Sequence, residues 1–323
     1  MNVLVTGGTG FLGGYVMAAL EAAGHAPIAY DIAPPAPEML AVAPALAARF
    51  RAGQTTDIAR LFEICRTERI DAIVHAAGIV GLETSLAQPV VTYQTNIMGF
   101  VNVCEAARQL GLRKLISISS NAAYHKGAGD ALVETDPTFS VTAGNPAGHY
   151  GTSKMAGEAI GMAYATFQGV DFLSLRITAI YGFGMRSPMY IKPMVENAVL
   201  GQPTRFATGG PMKRDYTHVF DCCDAIVLAL NAPRLHQGEQ RVLNIAAGKA
   251  CTAAEVAATV RRIVPGADIE IGDALTPPEQ ENVKMRAPLD VSAARRLLGW
   301  SPQWPLEQGI RQYAERFRRY AGK

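Results

Sequence analysis

Two side chains four residues apart raise the first chemical question. Tyr150 and Lys154, in the run Tyr150-Gly151-Thr152-Ser153-Lys154, project from one face of any helix that carries them. A free phenol ionises at about pH 10, so at neutral pH it is mostly in the wrong state to act as a base. A neighbouring ammonium favours the phenolate. Lowering the phenol pKa by about three units takes roughly 4 kcal/mol of differential interaction. The pair therefore reads as a base that abstracts a proton and the cation that activates it. Ser120 is the third member. It ends the run Leu115-Ile116-Ser117-Ile118-Ser119-Ser120, and ligands in open α/β sheets bind at the carboxyl ends of strands. A hydroxyl there can bond both a substrate oxygen and the Tyr150 phenol. Ser119 is read as a local backbone cap, and Asn121 is placed against the substrate.

Near the N-terminus, Thr6-Gly7-Gly8-Thr9-Gly10-Phe11-Leu12-Gly13 follows a short apolar run. Gly7, Gly10 and Gly13 have the spacing of a turn that lets the backbone approach a pyrophosphate. The helix that follows, beginning near Phe11 and Leu12, points its unsatisfied N–H groups at the phosphates. Asp31 stands at the end of the second strand, followed by Ile32, where a carboxylate can accept from ribose hydroxyls. It would repel a 2′-phosphate, and no Arg or Lys lies between Asp31 and Glu38 to attract one. The expected cofactor is NAD rather than NADP. Ala76, Ala77 and Gly78 are small enough for a ribose to lie on the strand ends, and His75 reads as a packed strand residue. No second His or Cys at ligand spacing supports a metal.

The elements that must position these groups alternate. Strands are expected at Asn2 to Thr6, Pro27 to Asp31, Arg49 to Ala52, Ala72 to Ala76, Lys114 to Ser119, Phe172 to Ile177 and Arg241 to Ile245. Helices are expected at Gly14 to Ala23, Ala59 to Thr67, Val91 to Leu110 and from about Tyr150 to Phe167. That rhythm predicts an α/β fold, a doubly wound parallel Rossmann sheet with helices on both faces and a smaller C-terminal substrate lobe. The expected division is 1–177 for the dinucleotide domain and 178–323 for a discontinuous lobe, with about 214–248 returning to the first. Residues 33–48, rich in Ala and Pro, read as a surface excursion.

Composition narrows the classes. Of 323 residues, 49% are hydrophobic and 18% charged, and the net charge is +2. This excludes a disordered chain. No basic block is long enough to track a phosphate backbone, so nucleic acid is not an expected partner. No apolar stretch reaches the length of a membrane span, and no cleavable leader precedes the first strand. The expected location is the cytoplasm. Cys65 and Cys104 read as small core residues, and the adjacent Cys222 and Cys223 as helix packing.

Together these residues resemble the extended short-chain dehydrogenase/reductase family, in particular its NAD-dependent epimerase/dehydratase, sugar-nucleotide epimerase-like branch. The resemblance rests on the glycine run, Asp31, His75-Ala76-Ala77-Gly78, Asn96-x-x-Gly99, Ser119-Ser120-x-x-x-Tyr124, Tyr150-x-x-x-Lys154 and Leu175-Arg176. It continues through Arg214-Asp215-Tyr216-Thr217-His218-Val219, Asn244-Ile245 and Leu298-Gly299-Trp300-Ser301-Pro302. It implies Ser120, Tyr150 and Lys154 as the catalytic set, with Lys154 and Tyr150 also holding the nicotinamide ribose and Asn96 at the cofactor. It implies a homodimer built from two long helices per subunit. Departures concern the substrate. Gln54-Thr55 stands where the family often has an Asp against adenine, and Ala179 replaces an Asn that contacts the sugar nucleotide. Glu279-Gln280-Glu281-Asn282 replaces an Arg-Pro-Gly-Asp segment that grips the diphosphate. Arg214 remains as an anion clamp, with Arg186 and Arg286 as weaker candidates. Asn121-Ala122 stands where dehydratases carry Asp-Glu, which argues against elimination.

The leading expectation is an NAD-dependent oxidoreductase, in which Tyr150 takes the proton from a secondary hydroxyl of a small sugar-like substrate while hydride goes to the nicotinamide. The alternative is a nucleotide-sugar 4-epimerase with tightly held NAD. A dinucleotide-binding protein without catalysis is the least favoured reading.

Overall fold

The computed structural model describes residues 1–125, 130–284 and 287–322. The chain opens with β1 (Asn2–Thr6), α1 (Phe11–Ala22), β2 (Ala26–Asp31), α2 (Pro37–Val42), β3 (Phe50–Ala52), α3 (Ile58–Thr67) and β4 (Ala72–His75). It continues with α4 (Leu82–Ala87), α5 (Pro89–Tyr93), α6 (Gly99–Gln109), β5 (Lys114–Ser120), α7 (Gly148–Gln168) and β6 (Phe172–Ile177). Then come β7 (Ile180–Tyr181), α8 (Ile191–Leu200), β8 (Thr204–Phe206), β9 (Lys213–Arg214), β10 (Thr217–His218), α9 (Val219–Asn231) and β11 (Val242–Ile245). The last are β12 (Cys251–Thr252), α10 (Ala253–Ile263), β13 (Ile269–Ile271), α11 (Pro277–Lys284), α12 (Ser292–Leu298) and α13 (Leu306–Ala321).

Among the described residues, seven strands form one sheet in the order β11-β6-β5-β4-β1-β2-β3, with every pairing parallel. This is the expected doubly wound α/β fold. β4, β5 and β6 are buried along their whole length, as strands covered by helices on both faces must be. Alternation sends Val3 and Val5 to the face covered by α1 and α9, and Leu4 to the face covered by α3 and α6. Each such aliphatic side chain, fully buried, contributes about 1.5–3 kcal/mol. A separate apolar core joins α8, α10 and α13 through Ile191, Val256, Ile310 and Tyr313. α9 and β11 return to the first body, where Ile226 and Leu243 join its core.

Two local departures from expectation have physical causes. Residues 33–48 are not a plain surface excursion. Pro37 occupies the first turn of α2, where its missing N–H costs nothing. The helix then buries Met39, and Leu46 follows in a short 3-10 turn, both inside the main core. Met39 packs directly on Gly14, where a β-carbon would meet its sulfur at 2.8 Å. The long helix expected from Val91 to Leu110 is present but starts at Pro89 and is broken by a π turn over Gln94–Met98. That wider turn carries Asn96, which is 6% exposed.

Candidate active site

The parallel register aligns the strand ends. Thr6 pairs with both Tyr30 and His75, and His75 pairs with Ser117. Ser120 lies beyond, at the C-terminal end of β5. The strand order reverses between β1 and β4, the point where an open α/β sheet leaves a crevice for a ligand.

The glycine run lines that crevice with bare backbone. Gly7 adopts a left-handed φ of 70°, and a β-carbon on it would lie 2.7 Å from Ala77 N. A β-carbon on Gly13 would lie 2.0 Å from the Gly7 oxygen, a distance no side chain tolerates. Gly10 caps α1 and donates its N–H to Gly7 O at 3.1 Å. The N–H groups of Phe11, Leu12 and Gly13 open the helix without intrahelical partners. Asp31 accepts from Thr9 N at 3.1 Å and from Ile32 N at 2.7 Å, which fixes its carboxylate at the end of β2 with lone pairs to spare. The Ile32 side chain is exposed. Gln54 is exposed as well, and its carbonyl accepts from the Tyr30 hydroxyl at 3.0 Å. Thr55 is buried under Gly99. Ala76 and Ala77 are tied to Thr6 through their N–H groups. A dinucleotide fits these features: a Cβ-free turn, a free helix N-terminus and a fixed carboxylate.

Tyr150 and Lys154 share one face of α7 and meet Ser120 across the end of β5. Ser120 stands near enough to Tyr150 to pull its phenol down. Lys154 Nζ lies 5.8 Å from the centre of the Tyr150 ring and donates to Ile118 O at 2.8 Å. Burial pushes the Tyr150 phenol up, and Ser120 pulls the other way. Burial also lowers the Lys154 amine to about 8, against the opposing pull of Glu158.

The two serines divide their roles differently from expectation. The backbone cap belongs to Ser120, whose Oγ accepts from Ala122 N at 3.1 Å; it also donates to Asn121 Oδ1 at 3.3 Å. Ser119 is no cap: its hydroxyl donates to Glu158 Oε1 at 2.6 Å, because the pleat turns it toward α7. Glu158 in turn holds Arg176 through two bonds, 2.8 and 2.6 Å, and Arg176 lies over the Tyr124 ring. Tyr124 donates to Asn244 Oδ1 at 2.7 Å. Asn96 is spent inside the protein. Its Oδ1 accepts from Ile79 N, and its Nδ2 donates to Ile79 O and Ser153 Oγ, so it clamps the loop after β4 to α7. His75 is packed, bonded to Thr6 Oγ1 at 2.8 Å and stacked on Phe100; burial lowers its pKa to about 3.

Sequence reasoning missed Asn145 and Glu158. Asn145 donates to the carbonyls of Ala122, Ala123 and Thr138, tying the loop after β5 to the start of α7. Nothing in its neighbours signals that role. Glu158 had a signal, since it follows Lys154 by four residues on the same helix face.

The sequence model of the NAD dependent epimerase/dehydratase family matches residues 3–246. The chain belongs to this family. It is an enzyme, and NAD is its cofactor. The chain is 27% identical to the UDP-glucose 4-epimerase of Mycolicibacterium smegmatis over 338 residues, covering 98% of this chain and 99% of that one. A solved UDP-glucose 4-epimerase from Thermotoga maritima, with UDP-glucose, is 26% identical with a TM-score of 0.85, covering 99% of this chain and all of the other. The Thermus thermophilus UDP-glucose 4-epimerase, in complex with NAD, is 28% identical with a TM-score of 0.82, covering 98% and 99%.

In this family member the substrate side is less uniform. Arg214, on β9 opposite Cys251, is half-buried and donates to Lys213 O; burial lowers its pKa, with Tyr216 and Tyr190 opposing. Arg186 is exposed and lines a cavity of about 300 Å³ with Glu38, Phe183, Lys192 and Tyr320. That cavity shares no residue with the Ser120–Tyr150–Lys154 group. Arg286 lies outside the described residues. Glu279 is consumed locally: it accepts from Thr276 N at 2.7 Å and from the Tyr190 hydroxyl at 2.9 Å, bonds that hold its carboxyl below the usual range. Ala179 keeps a left-handed φ of 34°, a conformation that suits Asn far better than Ala. No helix among the described residues is long and apolar enough to cross a membrane, and no cluster there could hold a metal.

Proposed function

We propose that this chain is an NAD-dependent 4-epimerase of a nucleotide-linked sugar, with Tyr150, Ser120 and Lys154 as its catalytic residues. The observation that carries the reading is the gathering of Ser120, Tyr150 and Lys154 at the end of β5, with Lys154 Nζ 5.8 Å from the Tyr150 ring centre. The named relatives, which are 4-epimerases, favour this reading over the expected net dehydrogenation. When bound, NAD would supply reversible hydride chemistry beside the sugar carbon. The Tyr150 oxygen takes the proton from the sugar hydroxyl and gives it back, while Ser120 Oγ holds the substrate oxygen in line. Lys154, which spends one donor on Ile118 O, would offer another to the cofactor ribose. The phenol needs added positive charge to ionise, because burial alone keeps it protonated. Proton abstraction therefore waits on the occupied site. Gly7, Gly10, Phe11, Leu12, Gly13, Asp31, Ala76 and Ala77 are assigned to the cofactor, and Asn121 and Arg214 to the substrate.

Ala179 supports a second reading. Without an amide at that point, a smaller sugar oxidised with net release of NADH is the competitor. Incubation of the purified protein with UDP-glucose, UDP-glucuronate and free sugar acids separates the two. Interconversion of 4-epimers without NADH release supports epimerisation; steady NADH formation from free sugars overturns it. We further propose a cytoplasmic homodimer with a dinucleotide body (1–177) and a substrate lobe (178–323, with 214–248 returning). The exposed Val91, Met98, Met162 and Phe167 on α5 to α7 and the flanking π turn support pairing through those helices.

A further inference from the structure

A narrow cavity lies between α7, the π turn and strands β4 and β5, lined by His75, Asn96, Ser117, Ser119, Lys154 and Glu158 among others. It offers about 10 Å³ to the centre of a water molecule, the space of a single water, and a buried water needs two to four polar partners. Those partners have capacity to spare. Lys154 carries three donors and uses one on Ile118 O. Ser117 Oγ bonds no protein group among the described residues. Glu158 accepts two bonds on Oε1 and one on Oε2, which leaves a lone pair on Oε2.

We propose that one water molecule, held between Lys154 Nζ, Ser117 Oγ and the Glu158 carboxylate, couples Glu158 to the ammonium of Lys154. Glu158 is then a positioning residue that acts through Lys154, and the inference rests on the catalytic reading of Lys154 above. The need for it is physical. A buried amine tends to lose its proton, and a neutral amine cannot favour a phenolate. The groups facing Lys154 are few. His75 on β4 stays neutral, Tyr150 on its own helix stays protonated, and Asn96, Ser117 and Ser119 carry no charge. Glu158 is the one anion in the set, and it raises the Lys154 pKa. Arg176, paired with Glu158 at 2.6 Å, offsets that charge at long range. A water in the cavity gives that coupling a short hydrogen-bonded path.

The test measures Lys154 itself, in cofactor-free protein. Acetylation of Lys154 by acetic anhydride, followed by peptide mass spectrometry as a function of pH, reports the midpoint at which the amine loses its proton. Glu158→Gln should lower that midpoint by about one unit, a tenfold faster labelling at neutral pH. Ser117→Val, which fills the cavity and expels the water, should lower it by about half a unit, roughly threefold. A midpoint unmoved in either folded variant overturns the proposal. Glu158→Gln leaves Arg176 buried without its partner and can fail to fold; Ser117→Val then decides alone. No substrate enters the measurement, so failure of the epimerase reading would appear in turnover assays and not here.

Discussion

In the cradle of residues 7–13 the backbone does the positioning, through approaches closer than any β-carbon allows, such as Gly13 against Gly7 O. In the lobe built on α8, α10 and α13, side chains do it, across long stretches of sequence. The Tyr190 hydroxyl reaches Glu279 Oε1 at 2.9 Å, and the Tyr313 hydroxyl reaches Glu196 Oε1 at 2.7 Å. The difference teaches where each half can change. A cradle of bare backbone accepts almost no added atom, but its contacts to a dinucleotide do not depend on side-chain identity. A lobe positioned by side chains can be respecified one residue at a time without disturbing the cradle. That contrast explains how a chain can keep its glycine run while residues of the lobe change.

The comparison can be broken at four points. The largest effect is expected at the candidate base. Tyr150→Phe should lower turnover by about 100- to 10 000-fold, the range for losing a positioned acid–base group, with NAD binding retained; turnover that survives nearly intact would remove Tyr150 as the base. Next comes the cradle. Gly13→Ala should destabilise the protein by about 3 kcal/mol, as overpacking does, and abolish NAD binding, measured by urea unfolding and fluorescence titration. In the lobe, Tyr190→Phe should cost about 1 kcal/mol of stability and raise the substrate KM while leaving NAD affinity unchanged; a parallel loss of NAD affinity would show that the halves are not independent. The smallest effect belongs to Ala179→Gly, which relieves a left-handed residue and should stabilise by about 0.5–1 kcal/mol, read as a small rise in Tm.

Glu158 marks the limit of what spacing reveals. Its place four residues after Lys154 could be read from the chain, but its partners Ser119 and Arg176 lie on two different strands. The π turn at Gln94–Met98 had no signal at all, since the sequence there has ordinary helical periodicity. It exists because Asn96 bonds the backbone of Ile79 and the hydroxyl of Ser153, and those contacts form only once three segments have packed.

The sequence by itself determined the layers and their order of use. β1 and β6 fall on the expected residues, Asn2–Thr6 and Phe172–Ile177, and the glycine turn stands where the first strand meets the first helix. Periodicity and glycine spacing are local properties, so they are legible along the chain. Only the tertiary structure decided that residues 37–46 bury Met39 and Leu46, that Ser119 turns to Glu158, and that burial holds the Tyr150 phenol protonated. Each depends on what packs against a residue from far along the chain, and desolvation has no signature in one dimension.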